Sequence, residues 1–289
     1  MIKKQPDQGV QVIKATGELE PFSWQKVYQS IRKAGGSENI AEQVADQLQK
    51  ETHNKVSSTK ISQRVKGILA KKDLKTSMKF DLPRAIRRLG PTGFPFEEYI
   101  RSIYRKMGFK TKRGKWLKGK CVEHEVDFLA WNDKYFYIGE CKYHNKKGIK
   151  GDLPQALHYF ARFYDLEKGH FCQRKAHNRQ IKTILVTNTE FTSKAIKYFK
   201  CMGRSLWSWD YPPHRGLKDI IDEEKVYPVT ILPSFTGKKL MRAFMKEKLL
   251  LAEDVFDINK KKLVKKYNIY PKKISSLVQE AAILFKNNH

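Results

Sequence analysis

The chain of 289 residues carries 58 Lys and Arg against 30 Asp and Glu, a formal charge of +28, and 40% of its residues are apolar. That apolar content supplies cores for about two domains and excludes intrinsic disorder as the main state. The charge exceeds what solubility needs and predicts a polyanionic partner.

Basic residues outnumber acidic ones 18 to 9 over residues 1–90, 23 to 11 over 91–200 and 17 to 10 over 201–289, which excludes a basic tail on a neutral body. The opening Met-Ile-Lys-Lys-Gln-Pro holds no apolar stretch. No run approaches the roughly 18 apolar residues of a membrane span, so a cytoplasmic protein with no membrane contact is expected.

Residues 10–14 alternate as a short strand, and a turn follows at Gly17. From Ser23 the period becomes helical through Val27, Ile31 and Ala34 until Gly35-Gly36 ends it. Two more helices are expected, over 38–50 and 58–71. This mostly helical unit closes near residue 91, and Gly90-Pro91-Thr92-Gly93 reads as a linker.

A helix over 96–107 places Phe96, Ile100, Ile103 and Met107 on one stripe. A basic loop comes next, from Lys110 to Lys120, with five lysines and an arginine around Trp116; that mix suits phosphate neutralisation with base stacking. Strands are expected over 122–131 and 135–143 about an Asn132-Asp133-Lys134 turn, then a helix, a buried strand over 181–187 and a helix over 192–200. Such alternation predicts an α/β domain over 92–225, its sheet covered by helices on both faces.

Residues 226–289 read as a Lys-rich helical region with only a faint helix-hairpin-helix character. The four cysteines (Cys121, Cys141, Cys172 and Cys201) lie far apart without a C-x-x-C pair, which argues against disulfides and a zinc ribbon. His170, Cys172 and His177 match no common zinc spacing.

The chemistry concentrates in HEVDFLAWNDKYFYIGECKYH, residues 124–144. Glu140 and Lys142 project from one strand face with Ile138, and pairing Trp131 with Tyr135 would set Asp127 opposite Gly139. Two carboxylates and an ammonium then converge, which suits a hard divalent cation and phosphodiester hydrolysis. Downstream, Pro154 suits the first turn of a helix that carries Gln155 and Tyr159 on one face. Upstream, Glu97 begins a helix that could bring a third acid, with Glu98 as its rival.

Five stretches in order, G-F-P-F-E with its helix and Gly108-Phe109, H-E-V-D-F, G-E-C-K, Q-A-L-H-Y and L-V-T-N-T-E-F-T-S-K-A, resemble the Mrr-type restriction endonuclease domain of the PD-(D/E)XK nuclease superfamily. The resemblance covers residues 93–200 and implies a restriction-endonuclease-like mixed sheet flanked by helices. It makes Asp127 and Glu140 the ligands of Mg²⁺, with Mn²⁺ as an alternative. By position Lys142 would be the catalytic lysine, Gln155 a polar residue at the metal site or DNA backbone, and Glu97 the helix-borne acid. Val126 stands where the family has its leading proline.

V-I-K-A-T-G-E-L-E-P-F-S-W-Q-K-V, residues 12–27, together with the closing F-D-L-P-R-A-I-R-R-L, resembles the ATP-cone, a regulatory module that binds ATP or dATP. By position Val12, Lys14, Glu20 and Lys26 match its nucleotide contacts, and Ala15 stands where a second basic residue is common. The chain then reads as a DNA endonuclease serving restriction of foreign DNA, homo-oligomeric and under control of a nucleotide effector. No G-x-x-x-x-G-K-[ST] loop is present, so no nucleotide hydrolysis is implied. The rival readings are a nucleotide-responsive DNA-binding regulator with an inert nuclease fold, and a structure-selective repair nuclease.

Overall fold

A computed structural model describes residues 7–14, 16–52, 55–90, 92–172 and 179–286. Ala15, Pro91 and His177 lie outside the described residues. The described chain is a mixed α/β protein that divides by its contacts into two units: residues 1–85 with 231–234 and 272–289, and residues 86–230 with 235–271.

In the first unit β1 (Asp7–Ile13) pairs antiparallel with β2 (Leu19–Phe22) and parallel with β3 (Val56–Ser57). Helices α1 (Trp24–Lys33), α2 (Glu38–Glu51) and α3 (Ser58–Lys72) follow the sequence signals closely, and α4 (Leu74–Phe80) comes after them. Ser23, Ser37 and Ser57 cap the first three by accepting from Lys26, Ile40 and Lys60 amides, so each helix starts where a short hydroxyl side chain meets orphan N–H groups. Val10, Val12, Phe22, Ile31, Ala41, Val44, Leu48, Val65 and Leu69 form the core. Neither α4 nor the short α5 (Leu82–Arg87) was expected; at seven and six residues both are too short to show a periodic stripe.

The second unit opens with α6 (Phe94–Lys106), whose Phe96, Ile100 and Ile103 are buried as expected. Its five-stranded sheet runs β12-β10-β8-β7-β4: β4 (Lys110–Arg113), β7 (Phe128–Trp131), β8 (Tyr135–Lys142), β10 (Gln180–Thr187) and β12 (Ser205–Trp207). β7 runs antiparallel to both of its neighbours, β4 and β8; β8, β10 and β12 are parallel. On one face Tyr104 of α6 meets the rings of Phe128, Tyr137 and Trp207. On the other, Leu129, Phe136, Ile138 and Leu185 pack with Ala156, Tyr159 and Phe163 of α7 (Leu153–Glu167) and with Ala195 and Phe199 of α8 (Ser193–Cys201). A small parallel pair, β9 (Lys150–Gly151) with β11 (Glu190–Phe191), leads into α7.

Three expectations are corrected here. The stretch from Lys110 to Lys120 is not a loop: β4 edges the sheet, and β5 (Trp116–Lys118) pairs with β6 (Glu123–Glu125). The strand expected over 122–131 is two strands, broken at Val126-Asp127. There Gly114 N–H donates to the Asp127 carbonyl (2.8 Å), and a Cβ on Gly114 would lie 1.6 Å from the Val126 carbonyl oxygen, so only glycine permits the crossing. The hairpin register also moves by one residue: Trp131 pairs with Phe136 and Phe128 with Gly139. Asn132 explains the shift, because its Oδ1 accepts from both Lys134 and Tyr135 amides and draws Tyr135 into the turn.

Beyond β12, α9 (Leu217–Glu223) precedes a 3₁₀ turn at Val229–Ile231, α10 (Lys238–Lys246), a second 3₁₀ turn at Glu253–Val255, α11 (Lys260–Tyr267) and α12 (Pro271–Phe285). Asn268 adopts the left-handed conformation (φ 48°) at the end of α11, and residues 226–289 are shared between the two units. Among the described residues no helix is long and apolar enough to cross a membrane.

Candidate functional site

One step further along the observed register, Asp127 stands level with Glu140, and its Oδ2 accepts the Cys141 amide at 2.6 Å. The one-residue shift matters, because residues directly opposite in an antiparallel pair share a sheet face. Glu140 and Lys142 occupy the face of β8 that α7 covers. Lys142 is half-buried, has no ion-pair partner among the described residues, and its positive charge acts on Asp127.

Helix α7 begins with Asp152 accepting the Gln155 amide, which sets Gln155 in the first turn. Among the described residues, Oε2 of Glu140 and Oε1 of Gln155 are buried acceptors without a hydrogen-bond partner. Buried acceptors without donors are uncommon in folded proteins.

Glu97 lies in the first turn of α6. Its neighbour Glu98 is buried and held by Arg101 (2.5 Å) and Arg105 (3.0 Å), whereas Glu97 feels the charge of Asp127. Burial, reinforced by Asp127, pushes the Glu97 carboxyl up to about 7; burial and then Asp127 push Glu140 to about 7 as well. Asp127 is also raised, chiefly by burial, with the Cys141 amide working against that shift. Among the described residues no three His, Cys, Asp or Glu side chains are gathered into a ready-made metal cage.

Because the folded protein retains protons on Glu97 that the unfolded chain releases above about 4.5, its stability falls as pH rises from about 4.5 to about 7. Glu97→Gln cannot ionise. It is expected to melt with the parent at pH 5 and to gain about 2 kcal/mol over it at pH 8, after discounting for partial exposure, as read by calorimetry.

Two participants had no sequence signal strong enough to single them out. Arg162, with a side chain 19% exposed, donates to Glu140 Oε1 at 3.0 Å and also to the Glu125 carbonyl. It follows Gln155 and Tyr159 at positions i, i+4 and i+7 of α7, a spacing that marks one helix face. Glu125 contributes its charge to both Glu97 and Asp127. Of His170, Cys172 and His177, the last lies outside the described residues, and Cys172 is buried at 1% exposure.

In the first unit Val12 is buried and pairs in register with Glu20. The Glu20 carboxylate receives Lys26 Nζ at 2.6 Å and Lys14 Nζ at 3.6 Å, and Lys14 also reaches Glu18 at 3.2 Å. The hydrogen bond from Lys26 holds Glu20 below its ordinary pKa. Two ammonium groups thus flank one acid, an arrangement suited to a triphosphate and a ribose hydroxyl. Lys14→Ala or Lys26→Ala is expected to weaken ATP binding about tenfold by titration calorimetry.

Residues 10–82 match the ATP cone domain, and residues 227–285 match the AF1548-like C-terminal domain. An uncharacterized protein of Archaeoglobus fulgidus is 33% identical over 174 residues, which span 60% of this chain and 92% of the relative. A crystal structure of the protein of unknown function AF1548 aligns with a TM-score of 0.55 at 29% identity, over 67% of this chain and 98% of that one. With such identity across nearly the whole of the relative, the chain belongs to the family of that Archaeoglobus fulgidus protein and carries an ATP cone domain at its N-terminal end.

Proposed function

We propose that the second unit is a Mg²⁺-dependent DNA endonuclease of the Mrr type within the PD-(D/E)XK superfamily, controlled by ATP or dATP at the cone. The observation that carries this reading is the meeting of Asp127, Glu140 and Lys142 at one end of β8, with Glu140 Oε2 buried and without a hydrogen-bond partner among the described residues. The order α6-β4-β7-β8-α7-β10, with β8 at the centre of a mixed sheet between helices, also supports it.

The residues fit a hard cation. Magnesium takes one or two carboxylates and completes its shell with water and phosphate oxygens, so a three-residue cage is not required. Asp127 and Glu140 would hold it, and bound Mg²⁺ would supply Lewis acidity at a phosphoryl oxygen and a more acidic water. The rest falls to the protein's own side chains. Lys142 sets a positive charge beside the phosphate, where negative charge grows during displacement. Arg162 orients Glu140 by holding Oε1, and Gln155 offers a polar contact to water or DNA backbone. Glu97, raised to about 7 and so partly protonated at neutral pH, can in its protonated form donate a hydrogen bond where an ionised acid would repel a phosphate.

The net charge of +28 over the whole chain favours binding to DNA, restriction of foreign DNA is the biological role that fits, and homo-oligomerisation would let two sites act on two strands. Plasmid DNA incubated with the full chain and Mg²⁺ or Mn²⁺, with and without ATP, tests the reading: nicking that EDTA abolishes is expected. DNA binding with a steep salt dependence and no nicking would instead mean a nucleotide-responsive regulator.

A further inference from the structure

Trp116 is 62% exposed on the β5–β6 ribbon, an unusual position for a side chain with so much apolar surface. The ribbon is held firmly. Leu117 is buried in the core at 2% exposure, while Asp165 of α7 accepts the Cys121 and Val122 amides (2.8 and 3.3 Å) and meets His124 Nε2 at 2.9 Å. The Asp165 carbonyl also takes the Lys120 amide at 3.0 Å. The turn crosses so close to Asp165 that a Cβ on Gly119 would lie 2.1 Å from its carboxylate. An arm fixed in this way loses little entropy on binding, so what it displays is presented ready for contact.

The arm also ends at the candidate site. Trp116 pairs in register with Glu125. The Glu125 carbonyl holds Arg162, the guanidinium that grips Glu140, and its carboxylate acts on Asp127. We propose that Trp116 stacks on a nucleobase beside the phosphate to be cut, and that the substrate is therefore DNA with an unpaired base at that position: a single strand, fork or flap. This deepens the endonuclease reading and rests on it.

The chemistry favours a base over other contacts. A duplex base has both faces covered by its neighbours, whereas an unpaired base offers a free π-face to an aromatic ring. Lys115, Lys118 and Lys120 on the same arm supply charge for the flanking phosphates. Glu125 directly across from Trp116 repels a phosphate from the stacking position itself, so the base is seated there and the backbone passes to the lysines.

The test is fluorescence anisotropy in EDTA with labelled single-stranded, forked and fully paired oligonucleotides, using the full chain and its Trp116→Ala and Trp116→Phe variants. Both variants should melt with the parent, because the ring is exposed. Trp116→Ala is expected to bind single strand and fork about tenfold more weakly, duplex less than about twofold more weakly, and Trp116→Phe to keep most of the affinity. Equal losses on all three DNAs, or no loss on any, would overturn the proposal. Since EDTA removes cleavage from the measurement, the two readings fail separately. A parent that nicks plasmid while Trp116→Ala binds forks normally refutes only the stacking role. A parent that prefers forks through Trp116 but never nicks refutes only the nuclease.

Discussion

Asp127→Asn is expected to lower Mg²⁺-dependent DNA cleavage about 10²–10³-fold while leaving the protein folded. The choice of asparagine follows from the hydrogen bond that Asp127 makes. Its Oδ2 accepts the Cys141 amide, and an asparagine carbonyl accepts it equally well, whereas alanine would strand that amide at a cost of about 1–3 kcal/mol. Loss of the charge has a second consequence with its own readout. Asp127 is the strongest charge raising the Glu140 carboxyl, so Asp127→Asn brings that group down from about 7 toward the ordinary range. Stability lost between pH 5 and pH 8 then shrinks, and the variant melts above the parent at pH 8 but not at pH 5. Cleavage equal to the parent's would remove Asp127 from the chemistry; an unchanged melting temperature at pH 8 would deny the coupling between the acids.

Arg162→Met should be the most destabilising of these substitutions. Arg162 and Glu140 are only 19% and 12% exposed, so removing the guanidinium leaves a carboxylate in a poorly hydrated place beside Asp127. Breaking a buried pair from one side costs about 3 kcal/mol or more when both groups are fully enclosed; with this exposure about 2 kcal/mol is expected at pH 8, roughly 5 °C in melting temperature. Arg162 favours the ionised form of Glu140, so without it the carboxyl titrates higher still. At pH 5, where Glu140 is protonated in both proteins, the deficit should shrink to that of the lost contacts. Adding Glu140→Gln should restore most of the loss at pH 8, since the isolated charge is then gone. A deficit that is the same at both pH values would mean that Arg162 acts by packing alone.

Much of the architecture could be read locally. Serine caps at 23, 37 and 57, the glycine pair at 35–36 and the stripe through Phe96, Ile100 and Ile103 each announce an element within a few residues, because capping and amphipathic burial act over one or two helical turns. The motif stretches around residues 124–144 named the side chains that meet at the end of β8, but not how they meet. Pairing from the Asn-Asp-Lys turn alone set the hairpin one residue out and would have put Asp127 on the face away from Glu140. What corrects it is the Asn132 side chain, which caps two amides at once. Gly114 gave no hint that it would let one strand become two, since the carbonyl it must clear lies twelve residues away.

By itself the chain's composition determined the positive field, and its local patterns determined the cone's helices, the α/β alternation and the identities of the carboxylates. Tertiary structure alone decided the neighbours: Arg162 on Glu140 across 22 residues, Asp165 clamping a ribbon more than 40 residues before it, Trp116 level with Glu125, and residues 272–289 joining the first unit. The division is physical. Caps and stripes arise from interactions within a turn or two of backbone, whereas burial that strips water from Glu97 and Glu140 and raises both toward 7 exists only once distant segments close around them.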